Sequence, residues 1–330
     1  MFNGQTVLVT GGTGSFGQRF VRRALSEGAG KVIVFSRDEL KQYEMKQRFP
    51  GENRLRFFIG DVRDRERLHR AFDGVDVVVH AAALKQVPAA EYNPLECIKT
   101  NVDGAAHIID AAIDREVEKV LAISTDKAVN PINLYGATKL CSDKLFVAAN
   151  NYVGSRRTRF GVVRYGNVVG SRGSVIPFFL SRRGIGTVPV TDPRMTRFLI
   201  TLDGGVQFVM DSLERMHGGE IFVPKLPSAS IMDIARAVAP ECETEIVGIR
   251  PGEKLHEVLI PEDDALNTVE YESHFAILPA FHDWDREAYM ARSGGTWCAD
   301  GFSYRSNNNP HWLRDEEIRA MAGLPEPAVA

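Results

Sequence analysis

Residues Thr6 to Gly17 read T-V-L-V-T-G-G-T-G-S-F-G, a β-branched run that passes directly into glycines. A run of that kind suits a strand buried in a parallel sheet. Gly11, Gly14 and Gly17 stand three residues apart, and a helical pattern, F-G-Q-R-F-V-R-R-A-L, follows. Glycines let the backbone turn tightly and approach a pyrophosphate, while the free N–H groups of the helix start bind its charge. With a strand before it and a helix after it, the loop, including Thr13, Ser15 and Phe16, reads as a dinucleotide site rather than a plain turn. The alternation continues through K-V-I-V-F (Lys31 to Phe35), R-F-F-I-G-D-V (Arg56 to Val62), D-V-V-V-H-A-A-A (Asp76 to Ala83) and V-L-A-I (Val120 to Ile123). A long helix spans Pro94 to Arg115. Repeated strand–helix units with right-handed crossovers imply an α/β fold with a Rossmann-type doubly wound parallel sheet.

An acidic residue at the end of the second strand takes a ribose 2′-hydroxyl, whereas an arginine there accommodates a 2′-phosphate. Ser36 and Arg37 occupy that place, with Lys41 one turn on, so the expected cofactor is NADP. The alternative is that Asp38 bonds the ribose and Arg37 is merely solvated. Asp61, beside Val62, either bonds the adenine amino group or caps the next helix. Ala81 and its alanine neighbours let a cofactor lie close, and Lys85 is within reach of cofactor or substrate. His80 reads as a packed strand-end histidine.

The stretch Ile123 to Lys139, I-S-T-D-K-A-V-N-P-I-N-L-Y-G-A-T-K, leaves a strand where such sheets open to ligand. Pro131 breaks any helix, and a new one begins near Leu134. Tyr135 and Lys139 are four residues apart and share a face. A lysine beside a tyrosine lowers a pKa that is normally about 10, giving a base near neutrality. Thr125, Asp126 and Lys127 stand at the strand exit. Alone, Tyr-x-x-x-Lys reads as chance surface pairing; beside the glycine loop it reads as a catalytic site.

R-F-G-V-V-R-Y-G-N-V-V-G (Arg159 to Gly170) is a sixth strand and a loop carrying Asn167 and Val168. Beyond Gly170 the βαβ rhythm stops. Residues 1–170 are expected to form the cofactor domain, its sheet completed by about 198–224. Residues 171–197 and 225–330 then form a smaller substrate-binding domain, with Ser230 capping a helix and 325–330 frayed. Thr187 and Arg197 are candidates for its cleft, as are Arg250 and Glu253 on a proline-glycine turn. His256-Glu257 has no companion at zinc spacing, so no metal is expected.

The chain has 330 residues, 25% of them charged, and a net charge of -3, which gives no reason to expect nucleic acid or an anionic membrane. Its four cysteines are far apart and read as reduced thiols. No signal sequence and no run of about 18 apolar residues is present, so a soluble cytoplasmic protein is expected.

T-G-G-T-G-S-F-G, the Tyr135/Lys139 pair and R-P-G-E-K together resemble the extended short-chain dehydrogenases/reductases. Lysine as third member of Thr125-Asp126-Lys127, with N-P-I-N-L-Y-G-A-T-K-L and Y-G-N-V-V-G-S-R-G-S-V, is similar to the inverting UDP-N-acetylglucosamine 4,6-dehydratases. The membrane anchor of longer relatives is not seen. The resemblance implies a cytoplasmic homo-oligomer that starts pseudaminic acid synthesis from UDP-N-acetylglucosamine. It also implies that Tyr135, paired with Lys139, takes the C4 hydroxyl proton as hydride passes to NADP+. Lys127 is then the base at C5, Asp126 the acid at the C6 hydroxyl, and hydride returns to C6. Such a lysine needs a depressed pKa. By the same likeness Arg250 faces the diphosphate and Glu253 the uridine ribose. The alternatives are a sugar-nucleotide 4-epimerase, a retaining dehydratase, or a regulator that binds NADP without turnover.

Overall fold

Apolar residues, valine foremost, dominate the strands, the composition of a sheet covered by helices on either side. In the computed structural model, which describes residues 1–171, 174–280 and 285–325, these strands are β1 (Thr6–Thr10), β2 (Lys31–Ser36), β3 (Leu55–Ile59), β4 (Val77–His80), β5 (Lys119–Thr125) and β6 (Arg159–Tyr165). Arg172 and Gly173 of the S-R-G-S-V motif, and the tail from residue 326, lie outside the described residues. All six strands are parallel, in the order β3-β2-β1-β4-β5-β6. Strand order reverses between β1 and β4, and ligands of open α/β sheets bind at that switch point, outside the carboxyl ends of the strands.

Helices α1 (Ser15–Ser26), α2 (Glu39–Gln47) and α3 (Arg65–Ala71) follow β1, β2 and β3. Beyond β4 come α4 (Val87–Tyr92), α5 (Pro94–Ile98) and α6 (Gly104–Asp114). The long helix expected from Pro94 is interrupted, because residues Lys99–Asp103 form a π turn. The wider turn carries the buried Asn101, whose side chain bonds the Leu84 N–H and carbonyl, each at 2.9 Å, and Thr138 Oγ1 at 3.0 Å. Helix α7 (Leu134–Ala149) is capped by Asn133, which accepts from Gly136 N at 2.7 Å. The same amide donates to Gly252 O at 2.8 Å, tying the proline-glycine turn to the start of α7.

The sheet is larger than the sequence suggested. Ile221–Pro224 joins β6 in parallel, and His274–Ile277, Thr268–Glu270 and Thr296–Trp297 add antiparallel strands to make ten. Residues 268–277 and 296–297, expected in the substrate domain, thus extend the cofactor sheet; strands of two to four residues show no period to read. Thr196–Ile200, expected near that sheet, lies instead in a three-stranded one with Asn167–Val168 and Ser228–Ser230. The smaller lobe has its own core, including Phe179, Val188, Met195, Ile234 and, from the C-terminal helix, Ile318. Ser230 caps its helix by accepting from Asp233 N at 3.0 Å. No helix among the described residues is long and apolar enough to cross a membrane.

Candidate active site

The glycine loop is shaped for close approach. Gly11 has φ +66, and a Cβ on it would stand 3.0 Å from the Ala81 carbonyl; on Gly17 it would meet Gly12 Cα at 2.5 Å. Gly14 precedes α1 with no side chain capping the helix, so its first N–H groups are free for an anion. From this loop a cavity of about 950 Å³ runs to the smaller lobe. Its wall includes Thr13, Ser15, Phe16, Ser36, Arg37, Lys41, Asp61, Val62, Ala81 and Lys85 at one end. Thr125, Lys127, Tyr135 and Lys139 stand at the middle, with Asn167, Val168, Arg197, Arg250 and Glu253 beyond. The cradle at the glycine loop fits the diphosphate of a dinucleotide.

Two expected residues are not on that wall. Thr187 begins a strand, Thr187–Val190, and its register against Glu243 holds it at the far end; Pro189 and Thr191, on the same face, reach the cavity instead. Asp126 is fully buried behind Thr125 and Lys127.

At the expected ribose end, Asp38 caps α2 by accepting from Lys41 N at 3.0 Å, and its side chain also pairs with the Lys41 ammonium. Asp61 does not cap α3; Asp64 does, accepting from Arg67 N at 2.9 Å. The Asp61 carboxylate takes bonds from Arg63 at 2.7 and 3.0 Å and lies 3.5 Å from Arg37. Burial pushes its pKa up, but Arg63 and Arg37 outweigh this and hold it below the usual carboxylate range. Arg37 is half exposed and free to turn from Asp61 toward a phosphate.

At the middle, the Thr125 hydroxyl donates to Asp126 Oδ1 at 2.8 Å, and Lys127 Nζ donates to the same oxygen at 3.0 Å. Glu257 Oε1 stands 3.5 Å from Lys127 Nζ and 3.8 Å from Arg197 Nε. Burial disfavours the ammonium, yet Asp126 and then Glu257 more than compensate, and the Lys127 pKa is raised. This corrects the expectation of a depressed pKa: two carboxylates flank the amine. Burial pushes Tyr135 up to about 12, and the cation working against that rise is Lys127, helped by a hydrogen bond with Thr125. Lys139 shares the helix face as expected. Burial lowers its pKa, opposed by Asp143, which lies one turn further along α7. Asp143 in turn accepts from Ser124 at 2.7 Å and pairs with the buried Arg164 at 3.4 Å. His80, packed on Phe146 and bonded to Thr10 Oγ1 at 2.8 Å, is pushed to about 3 by burial and Lys139. It is a neutral strand-end histidine.

Arg250 and Glu253 lie 3.8 Å apart across their turn, and both line the cavity. Glu257 was missed as a site residue, although it closes the same R-P-G-E-K-L-H-E segment, because no spacing in the sequence links it to Lys127. Among the described residues no cluster suited to a metal ion occurs.

The family described as polysaccharide biosynthesis protein matches residues 7–279. The chain belongs to that family. Among its relatives is an inverting UDP-N-acetylglucosamine 4,6-dehydratase of Campylobacter jejuni, 55% identical and covering 96% of this chain and 97% of the relative. A UDP-glucose 4-epimerase of Rickettsia conorii is 41% identical, covering 97% and 96%. A dTDP-glucose 4,6-dehydratase of Streptomyces venezuelae, solved with NAD bound, superposes with a TM-score of 0.69 at 25% identity over 76% of this chain and 87% of that one. The family member described here therefore has the architecture of the extended short-chain dehydrogenases/reductases.

Proposed function

We infer that this protein is a 4,6-dehydratase acting on UDP-N-acetylglucosamine with inversion at C5, and that its cofactor is NADP. The observation that carries the reading is Lys127, third in Thr125-Asp126-Lys127, lining one cavity with Tyr135 and Lys139. The 55% likeness to an inverting dehydratase over nearly the whole chain supports it. When bound, the nicotinamide supplies a hydride acceptor for C4 and a donor for C6.

The remaining work falls to the chain. Tyr135 accepts the C4 hydroxyl proton, with Lys127 and Thr125 favouring its phenolate. Once C4 is a ketone, the C5 hydrogen is acidic. Lys127 and Asp126 share a proton across 3.0 Å. Moving it from nitrogen to oxygen turns the ion pair into an amine, the base for C5, and a carboxylic acid. Asp126, off the cavity wall, passes its proton to the C6 hydroxyl through the Thr125 hydroxyl bonded to it at 2.8 Å, with charge conserved. Arg197 and Arg250 flank the diphosphate, Glu253 the uridine ribose, and Asn167 and Lys85 the sugar. The substrate side is the smaller lobe together with residues 250–257. We take the enzyme to be a cytoplasmic homo-oligomer at the entry to pseudaminic acid synthesis.

Incubation with UDP-N-acetylglucosamine, followed by NMR, tests the reading. The expected product has a C6 methyl, the L-arabino configuration and, in deuterium oxide, one deuteron at C5. A D-xylo product places the enzyme with the retaining dehydratases, and a C4 epimer that keeps its C6 hydroxyl places it with the epimerases.

The cofactor assignment rests on Arg37 and Ser36 at the end of β2: of the acidic residues on this part of the cavity wall, Asp38 is engaged by Lys41 and Asp61 by Arg63 and Arg37. Arg37→Ala removes a charge-assisted bond worth about 1.5–3 kcal/mol, so NADP affinity should fall at least about tenfold while NAD affinity barely changes. Titration showing that the wild type binds NAD as tightly as NADP overturns the assignment.

A further inference from the structure

Lys127 is held from two directions. Asp126 grips it from the adjacent position in the chain, and Glu257 meets it from the turn that follows Arg250. Glu257 is buried, lines the cavity, and its second oxygen, Oε2, has no hydrogen-bond partner. A buried carboxylate with an unpartnered oxygen costs free energy unless a nearby charge offsets it. The charges facing this pair are Asp126, Arg197, Lys254, Lys85 and Tyr135. Arg197 has partners of its own, donating to the carbonyls of Thr196 at 2.7 Å and Leu255 at 3.1 Å. The Nζ of Lys254 is bound to the Val129 carbonyl. Lys127 is thus the cation that Glu257 chiefly controls.

We propose that Glu257 is a positioning residue for Lys127, fixing its amine between two carboxylates at the cavity wall and setting the pH at which it loses its proton. The proposal rests on the dehydratase reading for its kinetic consequence but not for its titration. A pair that must carry one proton to serve as both base and acid fails once that proton is lost. The alkaline limb of elimination therefore reports on Lys127. An anion 3.5 Å away favours the ammonium, so Glu257 moves that limb to higher pH and its removal moves it to lower pH. The same link joins the substrate-side turn to the strand end that bears Asp126: as the turn moves, so does the amine.

Glu257→Gln keeps the shape of the side chain. It also keeps the backbone bond from Glu257 N to Ser306 Oγ, at 2.9 Å, so the fold is retained. The elimination kcat should fall by between about 10- and 100-fold, as expected for a misplaced reacting group, with substrate KM changed less than about threefold. The alkaline limb should move down by about one pH unit or more, and Glu257→Asp should recover part of both effects. Independently of turnover, reductive methylation of Lys127, followed by mass spectrometry against pH, should begin at lower pH in Glu257→Gln than in wild type. Unchanged methylation overturns the proposal even if activity falls. A raised KM with an unmoved limb also overturns it, placing Glu257 on the substrate through Arg197. Wild-type enzyme that makes no 4-keto-6-deoxy sugar defeats the dehydratase reading, while the methylation result still decides the role of Glu257.

Discussion

Lys127→Ala should separate the two halves of the reaction. Tyr135 and Lys139 stay in place, so C4 oxidation remains possible, though slower because Tyr135 loses the cation that favours its phenolate; the amine that works at C5 is gone altogether. Loss of a general base commonly lowers a step by about 10²–10⁴-fold. Rapid mixing of the variant with UDP-N-acetylglucosamine should therefore show reduced-nicotinamide absorbance building up while no C6 methyl appears. The substitution also leaves Asp126 and Glu257 facing each other without their cation. Removing one partner of a buried pair costs about 3–5 kcal/mol, so a lower melting temperature is expected too. The raised pKa of Lys127 gives this stability its sign. The contribution is complete below the unfolded lysine value of about 10.4 and is lost as pH rises through the folded value. Comparisons near neutral pH therefore measure the whole effect. Normal methyl formation by a folded Lys127→Ala variant removes the lysine from the chemistry.

The parts of this molecule that could be read in advance are those whose signal is local. Strands β1 to β6 are short, mostly apolar runs, several of them rich in β-branched residues, and the glycine loop fixes what lies at the end of β1. Tyr135 and Lys139 follow from a four-residue spacing. The parts that could not be read depend on what burial and distant chain segments do to charge. Lys139 was expected to tune Tyr135, but the cation opposing the rise in the Tyr135 pKa is Lys127, and Lys139 is matched by Asp143 on its own helix. Lys127 was expected to be a depressed lysine; a glutamate far along the sequence helps raise it, and no spacing rule reports such a contact. Thr187 failed for a simpler reason, since a strand displaces its first residue from a cleft that its later residues reach. The extension of the sheet by residues 268–277 and 296–297 escaped because its strands are too short to show alternation.

Gly136→Ala should do most damage for least change in chemistry. In an ordinary helix alanine is better than glycine by up to about 1 kcal/mol, so propensity alone expects a more stable protein. Here a Cβ on Gly136 would lie 2.1 Å from the Lys127 carbonyl oxygen and 3.1 Å from Pro131 Cβ. The first obstacle is backbone and cannot swing aside as a side chain could. Relief requires the start of α7 to move from the Asp126–Ala128 turn by about 1 Å, the misplacement that can cost about 10²-fold in rate. That movement also strains the bond from Gly136 N to Asn133 Oδ1, and with it the link from Asn133 to Gly252 on the substrate-side turn. Overpacking of this kind costs about 1–3 kcal/mol, which exceeds the gain in propensity. The variant should thus melt earlier and lose about 100-fold in dehydration, whereas NADP, anchored by the loop at Gly11 to Gly17 and by Arg37, should still bind within about tenfold of wild type. A Gly136→Ala enzyme as stable and active as wild type would mean that α7 slides freely on the turn. The close approach of Gly136 to Lys127 would then not be what holds Tyr135 beside Thr125.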